Sequence, residues 1–253
     1  MEKFRKITSR YLVMGLHNEG YNGKVAKCFN VDKAKMVLIK IQKDTENDLF
    51  QQELAMLEAV RVLDSDNKNI VRFIEHFRFQ ELHCLVFEML DRSLLDLLLQ
   101  RECMPLSLSE IRLLTHQLLV SLEALKSIGI IHTDIKLDNI MLVNHKDQPF
   151  KIKLINFGLA LPVSQVKVGM YMQNRTPEVT LGLPLSEYFI FDQDTGWRLR
   201  TPEEYEDATG HKDRMAFFDL LICCLHLDAE RRISPSEALK QSFLTMVHMR
   251  MFL

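Results

Sequence analysis

Asp134 and Lys136 stand two residues apart, Asn139 follows at the fifth position after the aspartate, and Asn156-Phe157-Gly158 begins seventeen residues beyond Asn139. These residue types at this spacing suit the transfer of a phosphoryl group. That reaction asks little covalent chemistry of a protein; it asks for positioning and for charges that offset the negative charge developing on the phosphates. Asp134 can orient an attacking hydroxyl, Lys136 can neutralise the transferring group, and the carbonyl oxygen of Asn139 can reach a metal ion. An Asp-x-Lys pair alone is common by chance, and a polar surface turn would hold one. The aspartate, the lysine, the asparagine and an x-Phe-Gly in this order, with a hairpin-like stretch from Met141 to Leu154 between them, form a far more specific signal.

Two positions upstream complete the set. Lys40 lies near the end of an apolar strand, Val37-Leu38-Ile39, where its ammonium can reach nucleotide phosphates, and Glu53 in the next helix can pair with it. Taken singly, each would be a solvated surface charge. The segment from Gly15 to Val25 carries Gly20 and Gly23, and such glycines let backbone amides approach phosphates closely. A plain hairpin turn would carry the same pair.

Positioning these groups falls to two kinds of element. Val25 to Phe29, Met36 to Ile41, Ile70 to Phe79 and His83 to Met89 read as strands, with a turn from Asn30 to Lys35. Between the second and third, Leu49, Leu54, Leu57, Val60 and Leu63 recur at roughly helical spacing. Beyond about Leu90 the period changes. Ser107 and Glu110 form a capping box ahead of Ile111, Leu114, Leu118, Leu122 and Leu125, which predicts a long helix ending near Gly129. Ser234-Pro235-Ser236-Glu237 is a second capping box with proline at the first helical position. Loops and a helix from Asp213 to Leu227 fill the interval.

The bulk numbers exclude several classes. Basic and acidic residues nearly balance, 32 against 34, so no global field would hold nucleic acid or a membrane surface. At 47% hydrophobic and 26% charged, the 253 residues suit one large domain or two fused lobes. The five cysteines (Cys28, Cys84, Cys103, Cys223, Cys224) show no CxxC spacing and read as reduced thiols of an intracellular protein. Met1 to Lys6 is charged without an apolar core, which predicts no leader, and no apolar run reaches the ~18 residues of a membrane span.

In this order the residues resemble a eukaryotic protein kinase, and in particular the homeodomain-interacting protein kinase family, relatives of the dual-specificity tyrosine-regulated kinases. The strings that carry the likeness are Lys24 to Cys28, Leu85 to Leu90, Ser127 to Leu142, Leu181 to Pro184, Thr201 to Glu206 and Asp228 to Ser234. The resemblance implies an α+β, bilobal protein-kinase-like fold across residues 1–253. Its parts would be a small antiparallel-sheet N-lobe (1–90) and a mainly helical, truncated C-lobe (91–253). It implies ATP and Mg2+ as cofactors. Gly20, Gly23, Val25, Leu38, Lys40, the gatekeeper Phe87 and the hinge Glu88, Met89 and Leu90 would surround ATP, with Lys40 paired to Glu53. Asp134 would be the catalytic base beside Lys136, and Asn139 and Asn156 occupy the magnesium positions. Tyr171 matches the activation-loop tyrosine, and Glu178 would pair with Arg232. The implied partners are protein substrates, transcription factors or co-regulators, without direct nucleic acid or membrane contact; the location expected is intracellular, nucleus or cytoplasm, the nucleus on the resemblance alone.

The chain also departs from that pattern. Asn156 replaces an aspartate, although magnesium normally takes one or two carboxylates beside the phosphates. Leu38 replaces the small residue that roofs the adenine pocket; overpacking costs roughly 1–3 kcal/mol, about tenfold or more in affinity. Asn18 stands for the first glycine of the phosphate loop, and Thr133 for an arginine beside the catalytic aspartate. The segment after Arg175 is shortened, and a larger gap follows Glu187 where the family has its central C-lobe helix. Loss of that helix predicts uncovered apolar surface on the Ile111 helix and on the helix from Asp213. The functions implied are a serine/threonine or dual-specificity kinase of impaired activity, a pseudokinase scaffold for transcription-related partners, or a truncated product.

Overall fold

Alternating side chains build the first layer. Strands β1 (Tyr11–Gly20), β2 (Gly23–Asn30), β3 (Lys35–Lys43), β4 (Phe73–Phe79) and β5 (Leu82–Glu88) form an antiparallel sheet in the order β1-β2-β3-β5-β4. The computed structural model describes residues 7–20, 23–43, 47–102, 104–165, 189–192, 196–199, 211–226 and 231–246. Because successive strand residues point to opposite faces, Val37 and Ile39 of β3 join Ala26, Cys28, Cys84, Val86 and Tyr11 in one buried cluster. Leu38 and Lys40 therefore project from the other face of β3, as do Leu85 and Phe87 of β5, which join the larger core.

Helix α1 (Asn47–Val60) lies on that second face. Its buried residues are Phe50, Glu53, Met56, Leu57 and Val60. Leu49, expected on the apolar stripe, is 58% exposed; Phe50 takes the inward place and stacks on His83 with ring centroids 3.9 Å apart. The expected strand at Ile70 starts only at Phe73. Ile70 instead makes a lone parallel bridge to Leu154, and the Val71 amide donates to the Leu154 carbonyl at 2.9 Å, stitching the two halves together.

The second half begins with α2 (Leu94–Gln100) and α3 (Leu108–Ser127), each opened by a capping box, Ser93/Asp96 and Ser107/Glu110. After α3 come β6 (Ile130–Ile131), β7 (Ile140–Asn144), β8 (Gln148–Leu154) and β9 (Leu161–Pro162), paired as β7 with β8 and β6 with β9. Gln117 of α3 fastens the β7–β8 hairpin, donating to the Phe150 carbonyl (2.7 Å) and accepting from the Ile152 amide (3.0 Å). The two-lobed α+β architecture expected from the resemblance is the one observed.

Two features correct the sequence reading. A hairpin of β10 (Phe189–Asp192) and β11 (Gly196–Leu199) stands where only loops were expected. Its signal was present, a strand-like run on each side of Asp-Gln-Asp-Thr-Gly. The apolar faces expected to lie open are also covered, among the described residues, by helix α4 (His211–Cys224) and the short α5 (Pro235–Ala238) and α6 (Ser242–Thr245). Ile111, Leu114 and Leu125 are at most 2% exposed, and Ala216, Phe217, Phe218, Leu220 and Leu221 are buried. Phe243 is the wedge: its ring centroid lies 4.9 Å from that of Phe217, and Arg112 of α3 stacks over it at 4.5 Å. Arg112 also donates to the Phe243 carbonyl at 2.7 Å and ion-pairs with Asp213.

Cys28, Cys84, Cys223 and Cys224 are free thiols, and Cys103 lies outside the described residues. No described helix is long and apolar enough to cross a membrane.

Candidate active site

Where the two halves meet, a cleft of about 570 Å³ is lined by Val25, Leu38, Lys40, Glu53, Val71, Phe87, Glu88, Met89, Leu90, Ser93, Asp96, Lys136, Asp138, Asn139, Met141, Ile155 and Asn156. The residues expected to surround a nucleotide converge here from β2, β3, α1, β5 and the loop before β7. Leu38 and Lys40 reach it because they share the second face of β3. Val71, Ser93, Asp96, Asp138, Met141 and Ile155 were not foreseen. The Ser-x-x-Asp cap of α2 was legible in the sequence; the others enter only through the packing of distant segments.

Lys40 donates to both carboxylate oxygens of Glu53 at 2.7 Å, and Gln42 adds a third bond at 3.0 Å. Glu53 is only 2% exposed, so the pair is held away from water's screening. Gly20 and Gly23 face each other across the closing pair of the β1–β2 hairpin, and Val25 is the residue of that loop that lines the cleft.

Asp134, expected as the catalytic base, is buried and is not among the residues lining the cleft; it stands behind two that are, Lys136 and Asn139. Its Oδ2 accepts from Lys136 Nζ at 2.9 Å and from Asn139 Nδ2 at 2.8 Å, and its carbonyl accepts from the same Asn139 amide at 2.7 Å. His132 supports it from behind. Its Nε2 lies 2.8 Å from the Ile155 carbonyl, which can only accept, so Nε2 carries the hydrogen and Nδ1 is free to accept from the Asp134 amide at 3.3 Å. Phe157 closes the packing edge-on to His132 at 5.1 Å.

Burial holds His132 below the ordinary imidazole value near 6.5. The folded protein then keeps a neutral ring while the unfolded chain takes up a proton below about pH 6.5. Stability consequently falls as pH drops through that value, by at most about 1.4 kcal/mol per pH unit, the worth of one proton. Melting midpoints between pH 7.5 and 5.5 test this: the wild type declines more steeply than His132→Phe. Equal slopes would remove His132 as the source.

Two backbone positions in the site have left-handed φ, Thr133 at 66° and Asn156 at 65°. Asparagine adopts this region readily, whereas a β-branched residue does so at a cost. Thr133 is held there by its hydroxyl, which donates to the Leu159 carbonyl at 2.8 Å and ties the Asp134 loop to the segment after Gly158. Asn156 Nδ2 donates to Asn139 Oδ1 at 3.1 Å, so the two amides expected at the metal positions bind each other. No cluster of three or more His, Cys, Asp or Glu side chains that could hold a metal exists among the described residues.

Behind the hinge lies a network that sequence reasoning missed. Lys153 of β8 is 1% exposed, and its ammonium donates to Glu88 and to Asp66, each at 2.6 Å. Glu88 Oε1 also accepts the Arg72 amide at 2.6 Å. A lysine between Ile152 and Leu154 in a buried strand was the available signal, but its two carboxylate partners come from distant segments, the end of β5 and the turn after α1. Phe87 lies against Phe73 with ring centroids 5.7 Å apart, and Leu90 is buried. Tyr171 and Glu178 lie outside the described residues; Arg232 donates to the His226 carbonyl at 3.0 Å.

Comparison with known proteins gives the same address. Residues 14–181 match the family model described as Protein kinase domain. Homeodomain-interacting protein kinase 2 of Mesocricetus auratus is 30% identical over 338 residues, taking in 96% of this chain and 29% of that protein. Homeodomain-interacting protein kinase 1 of Caenorhabditis elegans is 39% identical over 184 residues, 71% of this chain and 22% of that protein. Homeodomain-interacting protein kinase 4 of Homo sapiens is 36% identical over 194 residues, 74% of this chain and 32% of that protein. The chain spans less than a third of the length of these curated relatives. The 338-residue alignment is longer than the 253-residue chain, so that relative carries segments with no counterpart here.

Proposed function

Since this chain belongs to the protein kinase family and is of the homeodomain-interacting type, we propose that it binds ATP in the interlobe cleft and transfers phosphoryl groups to protein serine or threonine hydroxyls only weakly. Lys40, fixed by Glu53, meets the phosphates. Asp134 orients the attacking hydroxyl, with Lys136 beside it to offset charge on the transferring group. Phe87 and the segment Glu88 to Leu90 border the base. Residues 1–253 form one kinase domain whose lobes meet near Leu90, Tyr171 is its regulatory tyrosine, and Glu178 pairs with Arg232.

Protein kinase domains in general use ATP with magnesium. Magnesium is a hard cation that favours oxygen ligands in a strict geometry and takes one or two carboxylates. The side chains here are two neutral amides, one of whose oxygens is engaged by the other's N–H. They do not fit magnesium. This single observation, the bond between the Asn139 and Asn156 amides beside the cleft, supports the reading of weak transfer.

A pseudokinase scaffold is the second reading. It is favoured by the family match stopping at residue 181 and by the relatives' unmatched segments. The names of the relatives make homeodomain proteins the partner class to test, with the nucleus as the place to look.

The test is phosphoryl transfer from radiolabelled ATP to a generic basic protein substrate. The catalytic region of homeodomain-interacting protein kinase 4 is run alongside. The expected rate is at least ~100-fold below the relative's, the scale of losing one charged group that acts on the transition state. A rate within about tenfold, or 1.4 kcal/mol, of the relative's would overturn the proposal.

A further inference from the structure

A second cavity, of about 560 Å³, shares no described lining residue with the cleft. One wall is a face of α3, because Leu113, His116, Gln117 and Val120 recur three and four residues apart. The start of β8 adds Phe150 and Lys151, and Leu244 and Met246 come from α6 and its C-terminal cap. Gln117 ties the first two walls together through its bonds to the Phe150 carbonyl and the Ile152 amide, so the groove is formed before anything enters it. Apolar surface lies open in it: Leu113 is 54% exposed and Met246 41%. Phe150 and Met246 also have left-handed φ, 57° and 56°. Large side chains adopt that conformation at a cost, and such costs gather at functional positions.

The charge of the groove has one sign. None of its described lining residues is acidic, whereas Arg112, His116 and Lys151 are basic, in a chain whose acidic residues outnumber its basic ones, 34 to 32. Asp213 offsets Arg112. Lys151 has no such offset. Its ammonium donates to the Asp66 carbonyl at 3.1 Å and to Asn69 Oδ1 at 2.6 Å, both neutral acceptors, which uses two of its three N–H groups. The carboxylates of the adjoining turn are engaged elsewhere, Asp64 by Asn67 and Asp66 by Lys153 and Arg72. The third N–H of Lys151 and the exposed ring of His116 remain for a ligand.

We infer that this groove is a docking site for an acidic peptide segment of a partner protein, one that carries an apolar side chain flanked by Asp or Glu. The apolar side chain lodges against Leu113, Val120 and Phe150, and the carboxylates meet Lys151 and His116. Burial of the apolar group supplies most of the affinity, and the charges select the partner. Residues 247–253, which follow Met246 directly, have the wrong sign for this groove, with His248 and Arg250 and no acidic residue. The inference stands apart from the reading of the cleft.

The experiment selects a phage-displayed library of random peptides against the whole chain, then titrates fluorescent copies of the enriched peptides by anisotropy. The expected peptides place Leu, Phe or Met beside Asp or Glu and bind with dissociation constants on the order of 1–100 μM. Lys151→Glu weakens that binding by at least about fivefold. His116→Glu, at an exposed position, does the same and carries the test should Lys151→Glu not fold, which a melt of each variant shows. Enrichment of basic or uncharged peptides, or of none, would overturn the inference. So would affinities that fall by less than about fivefold in the folded variants. Displacement of the bound peptide by a synthetic copy of residues 247–253 would make the chain's own tail the occupant. Loss of peptide binding as the chain dimerises at higher concentration would make a second copy the occupant. Either result would overturn the assignment to a partner protein.

Discussion

Asn156→Asp raises the rate of phosphoryl transfer by on the order of 100-fold, since a bound metal stabilises transition-state charge by several kcal/mol. Adding Asp134→Asn removes the gain. The substitution exchanges an N–H for an oxygen at the contact that Asn156 makes with Asn139 Oδ1. The bond to Asn139 Oδ1, 3.1 Å in the wild type, becomes a contact between two acceptors and opens. A hard anionic oxygen then stands beside a freed amide oxygen, the kind of donor set magnesium accepts. The backbone need not move: the φ of 65° at Asn156 lies in the region that aspartate, like asparagine, enters more easily than other residues. Lys40, Glu53, Asp134 and Lys136 are already in place. Initial rates with radiolabelled ATP and magnesium check this, with a melt of each variant to show that it folds. If Asn156→Asp gains less than about tenfold, 1.4 kcal/mol, the limiting defect lies elsewhere, with Leu38 the next position to change.

Glu88→Ala lowers stability by about 3–4 kcal/mol, and adding Lys153→Met restores most of that loss. Lys153 is 1% exposed, and Glu88 is its more buried partner, at 21% side-chain exposure against 60% for Asp66. Removing Glu88 leaves an ammonium in the interior facing a solvated carboxylate, and it strips the Arg72 amide of its acceptor. Breaking a buried pair costs more than the pair contributes, whereas replacing the stranded charge with an apolar chain of similar length is near neutral. In a chain of this size each kcal/mol moves the midpoint by about 2–4 °C, so the single variant melts about 6–16 °C lower. The double variant lying no higher than Glu88→Ala would show that the stranded charge is not the cause.

Much of the site was legible because its signals are local. The spacing from Asp134 to Asn139 is a property of one loop, and the capping boxes at Ser107 and Ser234 bond residues three apart. The alternation that sends Lys40 into the cleft belongs to one strand. Where the reading failed, the deciding contact was distant in the chain. Leu49 fits the helical period as well as Phe50 does, but only Phe50 meets the His83 ring. The apolar faces of the Ile111 and Asp213 helices looked uncovered because nothing nearby in sequence covers them. Phe243, bonded to Arg112 across 131 residues, does so.

From the sequence alone came the kinase ancestry, the set of residues that could handle phosphate, and the missing charge at Asn156. Each depends on residue type and short-range spacing, which the chain carries whether or not it is folded. Only the tertiary structure decided what those residues do to one another. It set Asn156 against Asn139, buried Lys153 between two carboxylates behind the hinge, and gave each lysine of the cleft a partner. Such choices depend on which polar groups are brought together out of water, because a buried donor or charge must find an acceptor among whatever neighbours folding supplies.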